Sequence, residues 1–295
     1  MPRGLDHIVH VVRDLDAAAE LYARLGFTVG ARNRHPWGTH NRIVQFPGVF
    51  IELLTIAEPE KILPAKPRRY SFGAFTQDFL ASQGEGLSML VLESTGAEAD
   101  AQAFRDAGIG EFDVFRFERE ASKPDGTHVK VGFSLAFAQD PQSPAAGFFV
   151  CQQHFPENFW NPAFQEHPNG ARGISGVVLV AENPTDHHIF LSAFTGEREL
   201  AATSTGITVQ TPRGDVQAMN PDGFRIQFGV APPDVSAGAR IAALRIAVPS
   251  TDVLRATLEA AGVLLHRHMD RVIVAPARAM GATFVFEQAA DAPGG

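Results

Sequence analysis

Residues 5–29, LDHIVHVVRDLDAAAELYARLGFTV, decide the fold of this chain. A short apolar run is followed by a segment in which Leu15, Ala18 and Tyr22 recur at helical spacing, and Gly26 comes soon after. This order predicts a strand, then a helix with one apolar face, then a left-handed turn that ends the helix. The stretch therefore predicts a single β-α unit.

The same β-α pattern occurs three more times, with strand-like runs that begin near residues 87, 173 and 241. Further strand-like runs follow the helices, as in NRIVQF and VFIELLTI, which a Pro-Gly turn separates. The repeat predicts an α+β fold of four βαβββ modules, paired into two open barrel-like domains with the helices outside. The four helix patterns end at Gly26, Gly108, Gly196 and Gly262.

The length of 295 residues and the hydrophobic content of 45% are enough for two domains with sizeable cores. Prolines, asparagines and a glycine interrupt any periodic pattern between residues 155 and 172. We place the join there, which predicts an N-terminal domain of residues 1–160 and a C-terminal domain of residues 171–295.

Charge and cysteine content exclude several functional classes. The net charge is −8 and no face rich in Lys or Arg stands out, so we expect no nucleic-acid or membrane partner. Cys151 is the single cysteine, which rules out an internal disulfide and fits a reducing compartment. The apolar stretch at the N-terminus is interrupted by charges, unlike a signal peptide. We predict a cytoplasmic protein with a small-molecule substrate, and a homodimer remains open.

Two places in the N-terminal half carry candidate chemistry. The run FIELLTI puts Glu52 inside an apolar strand, where a carboxylate needs a metal, a histidine or an arginine as its partner. The segment HPWGTHN at residues 35–41 offers an aromatic ring and polar groups at an expected rim, so Trp37, His40 and Asn41 are candidate substrate contacts. Turn chemistry alone is the alternative there.

The opening LDHIVHVVRDLDAAAELYARLGF resembles the vicinal oxygen chelate superfamily, which includes glyoxalase I, extradiol dioxygenases, methylmalonyl-CoA epimerase and bleomycin resistance proteins. HPWGTHN and FIELL narrow the resemblance to the glyoxalase-like domain. MNPDGFRIQF is similar to the superfamily's turn into the last strand of a module. The resemblance implies that metal ligands come from the first and last strands of each module.

In this sequence the resemblance implies His7 and Glu52 as ligands, and as the catalytic residues. The expected cofactor is a divalent metal ion, and a set of one nitrogen and one oxygen does not choose between Zn, Fe, Mn and Ni. The second module has Leu87 or Ser88 where a histidine is expected. His154, at the end of its last strand, would complete the triad.

Other residues near the expected triad have a weaker case. Cys151 aligns opposite Glu52 and is best explained as a small core residue. Gln152 follows it and is a candidate substrate contact. Trp160 belongs to a candidate lid, for which a packed linker between the domains is an equally good interpretation.

The C-terminal modules are poorer in ligands. Their first strands have Ser175 and Leu244 near the ligand positions, and the third module has Gln227 in its expected last strand. Glu287 is the one expected ligand that remains in the C-terminal modules. We expect this half to be structural or to form a wall of the substrate site.

The predicted function is a divalent-metal-dependent lyase or isomerase acting on a small substrate with vicinal oxygens. Glu52 is the general base if no metal is present. One alternative is a binding protein without catalysis, like the bleomycin resistance proteins. A ring-cleaving dioxygenase is a further alternative, which the poor C-terminal ligand set disfavours.

Overall fold

The computed structural model describes residues 1–122 and 126–289. Two eight-stranded sheets dominate it, and each sheet contains the strands of two βαβββ modules. Helices alternate with strands and pack on the sheets, so the fold is of the α+β class, as predicted. None of the helices in the described ranges is long and apolar enough to cross a lipid bilayer.

The first sheet has the spatial order β2-β3-β4-β1-β5-β8-β7-β6. The central strands β1 and β5 run antiparallel, and each runs parallel to the last strand of its own module. The strands are β1 (Leu5–Val11), β2 (Asn33–Arg34), β3 (Thr39–Phe46), β4 (Val49–Ile56), β5 (Gly86–Glu93), β6 (Phe115–Ser122), β7 (His128–Ala138) and β8 (Gly147–Gln153).

The second sheet repeats this arrangement in the order β10-β11-β12-β9-β13-β16-β15-β14. Its central pair, β9 and β13, is again antiparallel. The strands are β9 (Gly173–Val180), β10 (Leu200–Thr203), β11 (Gly206–Gln210), β12 (Asp215–Met219), β13 (Arg240–Val248), β14 (His266–His268), β15 (Arg271–Val274) and β16 (Thr283–Gln288).

Four of the helices are the module helices, and each is followed by a glycine in the left-handed region, with φ between 68° and 79°. Asp14 begins the first of them by accepting hydrogen bonds from two backbone N–H groups. The helices are α1 (Leu15–Arg24), α2 (Phe72–Ser82), α3 (Ala97–Asp106), α4 (Pro156–Phe159), α5 (His188–Thr195), α6 (Pro221–Phe228) and α7 (Thr251–Ala260), of which α1, α3, α5 and α7 are the module helices.

One large apolar core joins the two halves of the molecule. Module helices and one face of each sheet contribute to it. Tyr22 of α1 packs edge-on against Phe284 of β16, and Phe104 of α3 packs against Phe194 of α5. The opposite, concave face of each sheet is therefore left to form a separate site.

Helix α6 corrects an expectation, because MNPDGFRIQF is not the last strand of the third module. Asn220 caps a helix by accepting the N–H of Gly223, and Pro221 occupies its first turn. Phe224 and Phe228, four residues apart, are fully buried on one side. Strand β12 is the last strand of this module, and α6 packs against the concave face of the second sheet.

Two further elements shape the first half of the molecule. Helix α2 connects the first two modules and packs on the concave face of the first sheet through Phe79 and Leu80. The run after Gly26 is irregular as far as residue 32, so β2 is only two residues long. Aromatic side chains from α2 thereby reach the space enclosed by the first sheet.

Candidate active site

The concave face of the first sheet encloses a cavity of about 70 Å³, which we call the N-terminal cavity. A single water occupies about 10–15 Å³ on this measure, so the space suits a compact ligand. Apolar side chains form most of its wall, among them six phenylalanines and a tryptophan. Its polar groups are His7, His35, Thr39, Asn41, Glu52 and Arg119, and Cys151 also lines it.

His7 is oriented by its neighbour in the chain. The Nδ1–H of His7 donates to Asp6 Oδ1 at 2.5 Å, and Gln153 Nε2 donates to Asp6 Oδ2 at 3.0 Å. A carboxylate on Nδ1 fixes the tautomer and leaves Nε2 as an acceptor. Nε2 lies 3.8 Å from Glu52 Oε2. His7 also stacks on Phe50 with 4.3 Å between ring centroids.

A β-bulge explains why Asp6 and His7 meet. Neighbouring side chains of a regular strand point to opposite faces. Between the pairs Leu5–Leu92 and His7–Val91, β1 has one residue more than β5, and Asp6 is that extra residue. A bulge bends the strand and re-aims a side chain. Sequence reasoning missed Asp6. The only signal for it in the sequence is that an aspartate directly precedes the histidine.

Glu52 is held by a second polar chain. Asn41 Nδ2 donates to Glu52 Oε1 at 2.5 Å and lies 3.3 Å from His35 Nε2, while Asn33 Nδ2 donates to Asn41 Oδ1. His35 Nδ1–H in turn donates to Thr39 Oγ1 at 2.9 Å. Two oriented carboxylate oxygens and two oriented imidazoles thus lie at one end of a largely aromatic space.

The segment at residues 35–41 is more buried than a rim would be. His35 is 7% exposed and stacks on Trp37, with 4.6 Å between the ring centroids. Burial lowers the pKa of His35 from 6.5 to about 4, against the opposing charge of Glu52. His35 is therefore neutral at pH 7. Phe72, Phe115 and Phe117 also pack against Trp37, so its ring is part of a cluster rather than an exposed turn.

Arg119 of β6 also lines the N-terminal cavity, and sequence reasoning missed it. Burial lowers the pKa of its guanidinium, while the charge of Glu52 acts in the opposite direction. Nothing in the run FRFERE distinguished Arg119 from the exposed Arg116. Only the pairing of β6 with β7 decides which of these side chains faces the enclosed space.

His154 and Gln152 lie outside the N-terminal cavity. His154 Nε2 is 2.7 Å from Ser134 Oγ, which is oriented away from the cavity-lining side chains of β7. Gln152 Oε1 accepts the N–H of Ala97 and so supports the start of α3. The structure brings His7 and Glu52 together but does not bring His154 to them.

His40 and Trp160 also lie outside it. His40 projects from β3 on the side opposite Asn41, with Nε2 3.2 Å from Glu58 Oε2. Trp160 packs edge-on against Phe50 and Phe159, at ring-centroid distances of 6.0 and 5.0 Å. Of the expected substrate contacts, Trp37 and Asn41 line the cavity.

A family model described as the glyoxalase-like domain matches residues 5–195, more than half of the chain. The chain belongs to the glyoxalase-like domain family. The resemblance to the vicinal oxygen chelate superfamily is thus confirmed. No curated protein matches the chain.

Solved structures share the fold of this glyoxalase-like protein. A hypothetical protein from Staphylococcus aureus matches with a TM-score of 0.66 at 13% identity, over 97% of this chain and 100% of that chain. A triple mutant of 4-hydroxymandelate synthase from Streptomyces coelicolor matches with a TM-score of 0.55 at 12% identity, over 100% of this chain and 95% of that chain. A fusion of a xylose isomerase-like TIM barrel with 4-hydroxyphenylpyruvate dioxygenase matches with 0.53 at 13%, over 100% of this chain and 50% of that chain.

The second module of this glyoxalase-like protein supplies apolar groups where the superfamily would supply ligands. Counting from the glycine after each module helix, Met89 is the counterpart of His7. The parallel register of β5 with β8 then makes Phe149 the counterpart of Glu52. Both line the N-terminal cavity. Neither Leu87 nor Ser88 occupies the matching place.

The donor set does not fit a complete metal site. His7 and Glu52 are two ligands, whereas zinc enzymes and non-haem iron sites use three protein ligands. Burial raises the pKa of the Cys151 thiol, and the charges of Asp6 and Glu52 add to this, which disfavours a thiolate ligand. Within residues 1–122 and 126–289 no group of three His, Cys, Asp or Glu side chains is placed to hold a metal.

The concave face of the second sheet is filled by other side chains. Arg245 lies between two carboxylates, bonding Asp215 at 2.7 and 2.8 Å and Glu287 at 2.7 and 3.0 Å. Arg271 and Ser175 also bond Glu287. Helix α6 packs over the rest of this face, which places the expected strand residue Gln227 in a helix.

Proposed function

We propose that this glyoxalase-like protein is an enzyme of the lyase or isomerase type that moves a proton on a small oxygenated substrate in the N-terminal cavity. One observation carries the proposal: Asp6, His7, Glu52 and Asn41 form an oriented polar chain at one end of an otherwise aromatic space. A cavity that only binds its ligand does not need such a polar chain, since apolar walls are enough. Paired acid-base groups of this kind are what a proton transfer requires.

Glu52 is the proposed general base. Its Oε2 faces His7 Nε2 at 3.8 Å, and its Oε1 is occupied by the Asn41 amide. Oε2 takes a proton from a carbon next to a carbonyl, and the electron pair of the broken C–H bond is delocalised onto the carbonyl oxygen. His7 then accepts the proton from Glu52 through Nε2, because Asp6 holds the proton of the ring on Nδ1. Return of this proton to the neighbouring carbon of the enolate gives the isomerised product and restores both side chains.

A divalent ion belongs to this proposal only as an expectation from the superfamily. His7 and Glu52 are the side chains that would bind it. Because they supply two ligands, no step of the proposed reaction passes through a metal. The cytoplasmic location and a monomer or homodimer state likewise remain predictions.

Hydrogen–deuterium exchange tests the proposal. The probe is 2-hydroxyacetophenone, a phenyl ketone with a hydroxyl on the adjacent carbon, and its CH₂ signal is followed by proton NMR in D₂O. The wild-type protein should accelerate the exchange. Glu52→Gln should reduce the acceleration by about 10²-fold or more, since a positioned base contributes that much. Glu60→Gln, which changes an exposed carboxylate, is the matched control.

The outcome also separates the enzyme from a binding protein. Met89 and Phe149 support the binding alternative, because apolar groups there favour stacking over chemistry. Equal exchange rates for wild-type protein and Glu52→Gln would contradict the proposed reaction. Unchanged affinity for the probe in both proteins would then favour sequestration. The ring-cleaving dioxygenase is not supported by a set of two ligands.

A further inference from the structure

Two hydrogen-bond donors of the N-terminal cavity lack an acceptor. The buried indole N–H of Trp37 has no hydrogen-bond partner among the described residues. The guanidinium of Arg119 makes no hydrogen bond or ion pair with any residue of the described ranges. Its donor groups are therefore unoccupied by the described part of the chain. Both side chains line the same enclosed space. Donors without acceptors in a cavity point to a ligand that brings acceptors with it.

Two other arginines with little exposure are paired with acids. Arg3 bonds Asp100, and Arg245 bonds two carboxylates, with side chains only 8% and 14% exposed. A partly buried cation without such a partner loses hydration and gains little in return. Arg119 feels the charge of Glu52 only through space, because no hydrogen bond or ion pair joins the two side chains, and Glu52 contacts Asn41 and His7 instead. The donor groups of Arg119 are therefore free to bind a further acceptor, although the charge of Glu52 already opposes that of the guanidinium.

The free donors and the lining of the N-terminal cavity indicate which chemical group of a ligand would bind there. One guanidinium presents two parallel N–H donors, which match the two oxygens of a carboxylate. A phosphate dianion would need a further cation in the cavity, and no Lys or second Arg is among its lining residues in the described part of the chain. The six phenylalanines of the wall suit an aromatic ring.

We propose that Arg119 and the indole N–H of Trp37 bind the carboxylate of an aromatic acid. This assignment rests on the proposed function only in placing the reacting carbon toward Glu52. Arg119 also borders a surface depression beside Lys130, so the carboxylate lies at the outer end of the cavity. The aromatic ring then lies among the phenylalanines.

Isothermal titration with two matched probes tests the carboxylate site. Benzoylformate and 2-hydroxyacetophenone share a phenyl ketone, and they differ in having a carboxylate or a CH₂OH group. Wild-type protein should bind benzoylformate at least about tenfold more tightly, a modest ratio for a charge-assisted bidentate pair. Arg119→Gln should remove this preference, so that the ratio of the two affinities falls to near one. Arg116→Gln, which changes an exposed arginine of the same strand, should behave like wild-type protein.

A second variant guards against a folding defect in the first. Trp37→Phe keeps an aromatic ring and removes the N–H, so it should weaken benzoylformate binding alone. The assignment is overturned if wild-type protein binds benzoylformate no better than the neutral ketone, including the case in which it binds neither. It is also overturned if Arg119→Gln retains the preference. Benzoylformate has no exchangeable C–H, so its binding is independent of the exchange assay that tests Glu52.

Discussion

His10 is expected to make the folded state sensitive to acid. Its side chain is fully buried, the O–H of Tyr22 donates to its Nδ1, and its Nε2–H donates to the carbonyl oxygen of Met280, both at 2.8 Å. The Met280 contact joins the first module to the last. Burial lowers the pKa of His10 from 6.5 to about 4, against the weaker effect of the Met280 bond and the charge of Glu85.

The sign and size of the effect follow from this pKa. Between pH 6.5 and about 4 the unfolded chain binds the proton and the folded protein does not, so the free energy of unfolding falls as the pH falls. Each pH unit below 6.5 costs about 1.4 kcal/mol until the folded group titrates. Between about pH 7.5 and pH 4.5, His10 alone should remove about 2.5 kcal/mol of stability.

Urea unfolding at these two pH values measures the loss. His10→Gln can keep both hydrogen bonds and cannot titrate, so it should lose about 2.5 kcal/mol less than wild-type protein over this range. His188→Gln changes an exposed histidine and should lose as much as wild-type protein. His35, whose pKa is also lowered to about 4, should keep part of the acid sensitivity in the variant. An identical loss in His10→Gln and wild-type protein would refute the reasoning.

Two further predictions concern stability. Gly108→Ala should cost about 1–2 kcal/mol of stability because the φ of Gly108 is +68°. Gly26→Ala should cost more, because a Cβ at Gly26 would also come within 2.7 Å of Asn169. Equal urea midpoints for the two variants would contradict this prediction. Arg245→Met should cost about 3–5 kcal/mol, since it leaves the buried Asp215 without its cation and Glu287 with Arg271 alone, whereas Arg255→Met on the surface should change the urea midpoint little.

The fold could largely be predicted because its signals are local. Period-2 and helical patterns and the glycines after the four helices report backbone conformation within a few residues. All four glycines have positive φ. The prediction of a last strand at GFRIQF in the third module was wrong, because local signals compete there. Asn220, Pro221 and the burial of Phe224 and Phe228 on one helix face outweigh the strand-like composition of GFRIQF.

The candidate site could be predicted only in part. His7, Glu52, Trp37 and Asn41 were found because the superfamily pattern and the apolar strand around Glu52 draw attention to them, and all four line the N-terminal cavity. Their roles remain predictions. His154 lies away from His7 and Glu52, since the chain directly after β8 has no local signal for the direction of its side chains, and Ser134 of the neighbouring strand holds it.

The sequence by itself determined the order of strands and helices, the points where the module helices end, and the presence of one carboxylate in an apolar strand. Only the tertiary structure decided which polar groups meet that carboxylate. The bulge that turns Asp6 toward His7 arises from the pairing of β1 with β5, more than eighty residues apart in the chain. Arg119 faces the cavity because of the register of β6 on β7. Such choices depend on cross-strand hydrogen bonds and shared packing, which no pattern within a single segment encodes.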